Sequence, residues 1–361
     1  MTGNGSTDAQ PGSPPPPRPS TTDPGQGHVP AWREVAKRLV PILIAGVAIY
    51  IVLPSLTRVM ASWPRLSTLN PLWFVVAVGA EVAHFTCTFA LQRLALRTSR
   101  WFPVVTSELA GNAMSLVIPG GGAAGAAVQF RMLQDAGIDT DTAVSGLTAF
   151  SLLQVGGLLA LPVVALPAIF GAGVSAGLVH SAVLGLAGFV LFAAFGYIIL
   201  RTDRPLALIG RVIQRVWNRI TRGRKPVTGL DRRMLRDRDD VRSVLGANWR
   251  QAVLLCTARL AFDYGCLLAV LRATGAHPRP ALVLLAYAAA NIIALFPITP
   301  GGLGIVEAGL SGMLILAGVP SGNAFLATLG YRIASYWLPL LAGPFAYLAF
   351  RLHYRTAPAR T

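Results

Sequence analysis

Six stretches of this chain run for about 20 residues with almost no charge, the length at which an α-helix crosses about 30 Å of hydrocarbon. They are Leu39 to Thr57, Pro71 to Leu91, Thr142 to Phe170, Ala176 to Leu200, Trp249 to Leu271 and Phe325 to Phe350. Strands of a membrane barrel would be about half as long and would alternate apolar with polar residues. Only 13% of the 361 residues are charged and 53% are hydrophobic, a balance that a water-soluble domain does not carry. The expected class is therefore an all-α polytopic membrane protein with about six full spans.

Two more apolar segments share a different pattern: an Asn, an apolar run, then Pro and clustered Gly. One runs from Asn112 to Pro119, Gly120, Gly121 and Gly122; the other runs from Asn291 through Pro297 to Pro300, Gly301, Gly302 and Gly304. A helix broken inside hydrocarbon leaves N–H and C=O groups unpaired, so such breaks persist only where protein buries them or a cavity wets them. Two breaks in corresponding places of two halves point to a central substrate path.

The net charge of +16 raises nucleic acid as a partner, but 14 of the 31 Lys and Arg lie between Arg201 and Arg250, in one loop between apolar runs. The positive-inside rule accounts for that placement, and no nucleic acid partner is expected. The rule puts both termini, Arg93 to Arg100, residues 131–141 and the Arg-rich loop in the cytoplasm. Segment 101–131 then begins and ends on one side as a re-entrant hairpin, whose arms of about 15 residues give only about 23 Å of helix. A hairpin over 281–318 would open to the outside, although two short crossing helices satisfy the same parity. Span, hairpin, span, repeated with opposite orientation, is the layout of an inverted repeat.

The chain divides into a Pro-rich disordered cytoplasmic tail (1–32), a first membrane half (33–200), a basic loop (201–248), a second half (249–350) and a basic tail (351–361). The tail is no signal peptide, because its basic cluster precedes a full-length span without a cleavage site. Within the loop, residues 206–220 read as an amphipathic helix with Arg211, Arg215, Arg219 and Arg222 on one side, suited to an anionic lipid surface. Cys87, Cys256 and Cys266 form no ligand pattern, and neither HExxH nor Walker A is present, so no metal and no cofactor is expected.

Charged groups at membrane depth cost at least about 2.5 kcal/mol each and need a partner or a purpose. Arg259 and Asp263, four apart, read as a structural pair. Glu307 and Arg332 either meet across the second hairpin or divide a cargo between them, with Arg332 on a phosphate and Glu307 on a cationic group. Glu108 and Asn112 share one helix face entering the first break, and Asn291 enters the second. The Gly clusters expose N–H groups suited to phosphate. Glu81 and His84 share a face of the second span, with His84 read as a packed hydrogen-bonding residue.

Asn291, Pro300-Gly-Gly-Leu-Gly304, Glu307, Tyr331-Arg332, Pro339 and Gly343 together resemble the flippase-like membrane domain of lysylphosphatidylglycerol synthases and its stand-alone relatives, over roughly residues 35 to 350. The resemblance implies movement of a phospholipid or polyprenyl-phosphate-linked intermediate between leaflets of a bacterial plasma membrane, with membrane lipids as partners. It also carries substrate-binding roles onto Glu307 and Arg332. The first half departs from the family pattern, since Gly125 is followed by Ala126 rather than Glu, leaving Arg131 as the matching arginine. With eleven residues after Phe350, no aminoacyltransferase domain and no enzymatic activity is expected. Two other readings stay open: an ion-coupled transporter of a small solute, and a non-transporting partner that recruits a lipid-modifying enzyme.

Overall fold

The computed structural model describes residues 71–118, 121–167, 175–202, 230–295 and 299–355, with residues 3, 211, 214 and 215 besides. Every regular element among them is helical. In chain order they are α1 (Pro71–Ala95), α2 (Trp101–Val117), α3 (Gly122–Asp135), α4 (Thr140–Ala165), α5 (Ala176–Arg201), α6 (Leu230–Ala273), α7 (Pro280–Ala294), α8 (Ile305–Leu316), α9 (Ser321–Arg332) and α10 (Leu338–Arg355). A short 3-10 turn, Pro300–Gly302, precedes α8, and a π-helical turn, Ile333–Trp337, joins α9 to α10.

Five runs are long and apolar enough to cross a membrane: α1, α4, Ala176–Ile198 of α5, Asn248–Ala273 of α6, and the continuous Ser321–Tyr354. They coincide with five of the six expected spans. The sixth, Leu39 to Thr57, lies outside the described residues, as do the tail 1–32 apart from residue 3, Pro119, Gly120, residues 296–298, Arg219 and Arg222. Arg211 and Arg215 are helical and exposed. The long α6 has one non-helical residue, Asn248 (φ −122°, ψ 23°), where its charged N-terminal stretch meets its apolar span.

Polarity runs opposite to that of a water-soluble protein. Leu184 and Leu191 on α5 are each 71% exposed and Phe345 on α10 is 72% exposed, while Glu81, Gln92, Glu108, Arg259, Asp263 and Arg332 are buried. Water would drive both groups the other way, whereas hydrocarbon accepts the outer face as it stands. This is a multi-pass integral membrane protein.

The packing relates the two halves pair by pair. The helices that precede the broken segments, α1 and α6, lie against each other along their lengths. The first arm of each broken segment packs on the helix that follows the other, α2 on α10 and α7 on α4, and within each segment the arms pack together. Small residues permit the close approaches: a side chain at Gly343 of α10 would overlap Ala113 and the Leu109 carbonyl of α2. Two hydrogen-bonded clusters mark the ends of the bundle. Arg100 donates to the Ala136 carbonyl (2.7 Å) and to the Tyr354 hydroxyl (2.9 Å), joining both ends of the α2–α3 segment to the end of α10. Asn323 Nδ2 donates to the Thr274 carbonyl (2.7 Å), joining the end of α6 to the start of α9. Since α10 ends at the first cluster and α9 begins at the second, the clusters mark opposite ends.

Candidate functional site: a charged cavity between the helix breaks

Both breaks arise from local backbone rules. α2 ends at Ile118, held extended (φ −96°, ψ 132°) ahead of Pro119, as the residue before a proline prefers. The second break needs left-handed backbone at Gly301 (φ 57°), Gly302 (φ 70°) and Gly304 (φ 85°), which only glycine adopts freely. Gly301 also has no room for a side chain, since a Cβ there would run into the Tyr336 ring and lie 2.9 Å from the Leu116 carbonyl of α2. The breaks therefore meet each other.

Where they meet, a cavity of about 380 Å³ opens, with walls from both breaks and from α1, α4, α6, α7, α8 and α9. Its charged lining consists of Glu81, Glu108, Arg259, Asp263 and Arg332, with the ring of His84 beside them. Of the residues expected from sequence, Glu108, Asn112, Gly121, Asn291, Gly301, Gly302 and Arg332 line it.

Glu307 and Arg332 meet across the hairpin. Arg332 Nε donates to Glu307 Oε1 (2.9 Å), its Nη2 donates to the Gly301 carbonyl (2.8 Å), and its guanidinium lies 4.3 Å from the centre of the Tyr336 ring. The other Glu307 oxygen accepts the Gly304 N–H (2.6 Å), so the carboxylate caps α8 while holding the arginine. These bonds fasten the glycine turn to α9 and engage both Glu307 oxygens together with Nε and Nη2 of Arg332. Asn291 Nδ2 donates to the Tyr287 carbonyl (3.0 Å) one turn back.

The first break has a different brace. Gln129 of α3 donates to Glu108 Oε2 (2.9 Å) and accepts from Gln92 of α1 (3.1 Å), so three side chains tie the hairpin to its neighbour. Arg131 takes no part. It is exposed and does not line the cavity, because it lies two positions beyond Gln129, roughly 200° around α3.

The pairing of Arg259 with Asp263 expected from their spacing is not found. Both Asp263 oxygens accept from buried phenols, Oδ1 from Tyr331 of α9 (2.8 Å) and Oδ2 from Tyr287 of α7. Two tertiary donors on separate helices displace the one local partner, and their hydroxyls satisfy the carboxylate. Arg259 remains on the cavity wall, where its backbone carbonyl accepts from His84 Nδ1 (2.8 Å). That contact agrees with the packed role expected of His84.

Glu81, Gln129, Tyr287 and Gln154 were not singled out by sequence as site residues. Glu81, His84 and Thr88 fall at helical spacing on α1 and all three line the cavity, so the polar stripe on an otherwise apolar helix was a usable signal. Tyr287 and Gln129 carried none, since each serves through a partner distant in sequence.

A family model for the lysylphosphatidylglycerol synthase TM region matches residues 42–343. A UPF0104 membrane protein of Methanothermobacter thermautotrophicus is 38% identical over 80 residues, a stretch that covers 22% of each chain. The matched family region takes in both breaks, every described helix from α1 to α9 and all the charged residues of the cavity. On that extent of match, the chain belongs to the lysylphosphatidylglycerol synthase transmembrane-region family.

Proposed function

We propose that this protein moves a lipid with a charged headgroup between membrane leaflets, passing the headgroup through the cavity while the acyl chains stay in hydrocarbon. The observation that carries the reading is the cavity itself: charged side chains gathered inside a bundle with an apolar exterior, at the place where two helix breaks meet. Intramembrane charge of this kind marks a path for polar cargo. In this reading α2–α3 and α7–α8 are re-entrant hairpins of an inverted repeat. The hydrogen-bonded clusters at opposite ends of the bundle support opposed entry, because residues 100 and 136 adjoin at one end and residues 274 and 323 at the other. Opposed hairpins give each leaflet its own approach to one site, the condition for alternating access.

In this reading both termini and the Arg-rich loop face the cytoplasm, which the clustering of basic residues supports. Four arginines near the ends of apolar spans lie against aromatic rings: Arg93 on Trp101, Arg201 on Tyr197, Arg250 on Trp249 and Arg351 on Tyr347. All four pairs sit at ends that this topology assigns to the same surface, where aromatic and basic residues anchor helices. The cargo class is a phospholipid or a polyprenyl-phosphate-linked intermediate, and the protein acts as a transporter rather than an enzyme.

The test is reconstitution into phosphatidylcholine vesicles carrying headgroup-labelled phosphatidylglycerol or phosphatidylethanolamine, with outer-leaflet label quenched chemically. Protein-dependent loss of inner-leaflet label is expected for at least one of them. Failure to exchange either lipid removes the reading; solute counterflow driven by a pH or sodium jump without lipid movement would replace it with the ion-coupled solute transporter.

A further inference from the structure

Hydrogen bonding among the described residues leaves five buried side-chain atoms without a partner, on Glu81, Gln92, Ser175, Arg259 and Tyr336. Of these residues only Glu81 and Arg259 line the cavity. Their atoms are opposite in kind: Oε2 of a carboxylate and Nε of a guanidinium. Both residues are more than nine-tenths buried, at 3% and 8% exposed.

The two are not salt-bridged to each other. They stand on facing helices, α1 and α6, and His84, one turn beyond Glu81, is bonded to the Arg259 carbonyl. The remaining charges of the cavity are engaged, Glu108 by Gln129, Asp263 by Tyr287 and Tyr331, and Arg332 by Glu307 and Gly301. The side chain of Glu81 neighbours the Cys266 thiol of α6, and the Cys256 thiol lies beside Arg259. Neither thiol is a charged partner.

We propose that Arg259 and Glu81 are the two poles of a headgroup site for a zwitterion, with a phosphodiester held at Arg259 and a primary ammonium at Glu81. This rests on the lipid-moving reading above and reassigns the charged contacts from Arg332 and Glu307, which hold each other. A buried carboxyl and a buried guanidinium with unpartnered atoms are costly, and a ligand that brings an ammonium to one and phosphate oxygens to the other removes both costs together. The planar guanidinium fork matches phosphate oxygens, and an ammonium brings up to three donors to a carboxylate. Single-charge ligands fare worse. A phosphate alone adds negative charge near Glu81, Glu108 and Asp263, and an ammonium alone adds positive charge near Arg259, so the pair selects against each half as well as for the whole.

Binding to the purified protein in neutral detergent tests this without requiring transport. The probes are dihexanoyl phosphatidylethanolamine, its N-acetyl derivative and dihexanoyl glycerol. Wild type is expected to bind the free amine about tenfold tighter than the N-acetyl form, the size of one charge-assisted hydrogen bond, and to bind dihexanoyl glycerol more weakly still. Glu81→Gln should erase the preference for the free amine, and Arg259→Gln should erase the preference for the phosphate. Equal wild-type affinity for the free and acetylated amines overturns the proposal, as do full preferences in both variants. Should a variant fail to fold, the wild-type ligand series still decides. Binding without leaflet exchange would remove the transport reading and leave this site standing; exchange without headgroup preference would do the reverse.

Discussion

The two helix breaks occupy equivalent places in the two halves and are braced by different chemistry. At the first, glycines let the arms close on each other: a side chain at Gly125 would overlap Ser115 and the Gly111 carbonyl, and one at Gly111 would overlap Gln129. A neutral amide, Gln129, then links Glu108 to Gln92. At the second, left-handed glycines turn the chain, and an ion pair between Glu307 and Arg332 fastens the turn to α9. The difference shows that such a break needs its freed polar groups satisfied and its arms tied, while leaving open whether charge or amide does the tying. It also separates the cavity's charges into those that hold the fold and those that face the cargo.

The largest test of that separation is Arg332→Met. Glu307 is mostly buried, and losing its cationic partner should cost about 4 kcal/mol, seen as a large fall in the thermal unfolding temperature in detergent. Arg332→Lys should recover only part, because one ammonium cannot reproduce the fork that reaches Glu307 and the Gly301 carbonyl together. If Arg332→Met melts with the wild type, the ion pair is no brace, and Arg332 returns as a candidate contact for cargo.

Next in size is Gln129→Leu at the first break. Glu108 would keep its burial and lose its donor, an effect of about 3 kcal/mol. Glu108→Gln should be far milder, since an amide oxygen still accepts from Gln129. Combining Gln129→Leu with Glu108→Leu should regain stability relative to Gln129→Leu alone, because the stranded group is gone. A double variant no better than the single one would mean that the Gln129 contact with Gln92, rather than the Glu108 bond, holds the first hairpin.

This asymmetry also sets what could be read from the chain beforehand. Span length, the positions of both breaks and the glycines of the cavity lining follow from hydrophobic runs and from Pro and Gly, whose effects are local. The meeting of Glu307 with Arg332 was one of two outcomes their placement allowed, and the motif around Pro300 drew attention to it. The first half carried less signal, since Gln129 is an unremarkable residue until α3 folds back on α2. Arg259 and Asp263 misled for a related reason: helical spacing permits a pair, and only the fold reveals that Tyr287 and Tyr331 reach the carboxylate first. Arg131 followed the order of residues along the chain, while the exposure of its side chain depended on which face of α3 the hairpin buries.

The smallest effects compare glycines across the breaks. Gly304 has open space around a would-be side chain, yet its backbone sits at φ 85°, ψ −46°, so Gly304→Ala should cost about 2 kcal/mol through strain alone. Gly122, the first residue of α3 after the first break, follows a helical N-cap and has nothing within 4 Å of a would-be Cβ. There Ala should be neutral or stabilising by about 0.5 kcal/mol, because it narrows the unfolded ensemble without disturbing the fold. Measured side by side in one detergent, the two substitutions ask whether the breaks differ in backbone as they differ in side-chain brace. A cost at Gly122 as large as that at Gly304 would mean that the first break also depends on a turn only glycine can make, and the contrast between amide-tied and turn-tied hairpins would then fail at its root.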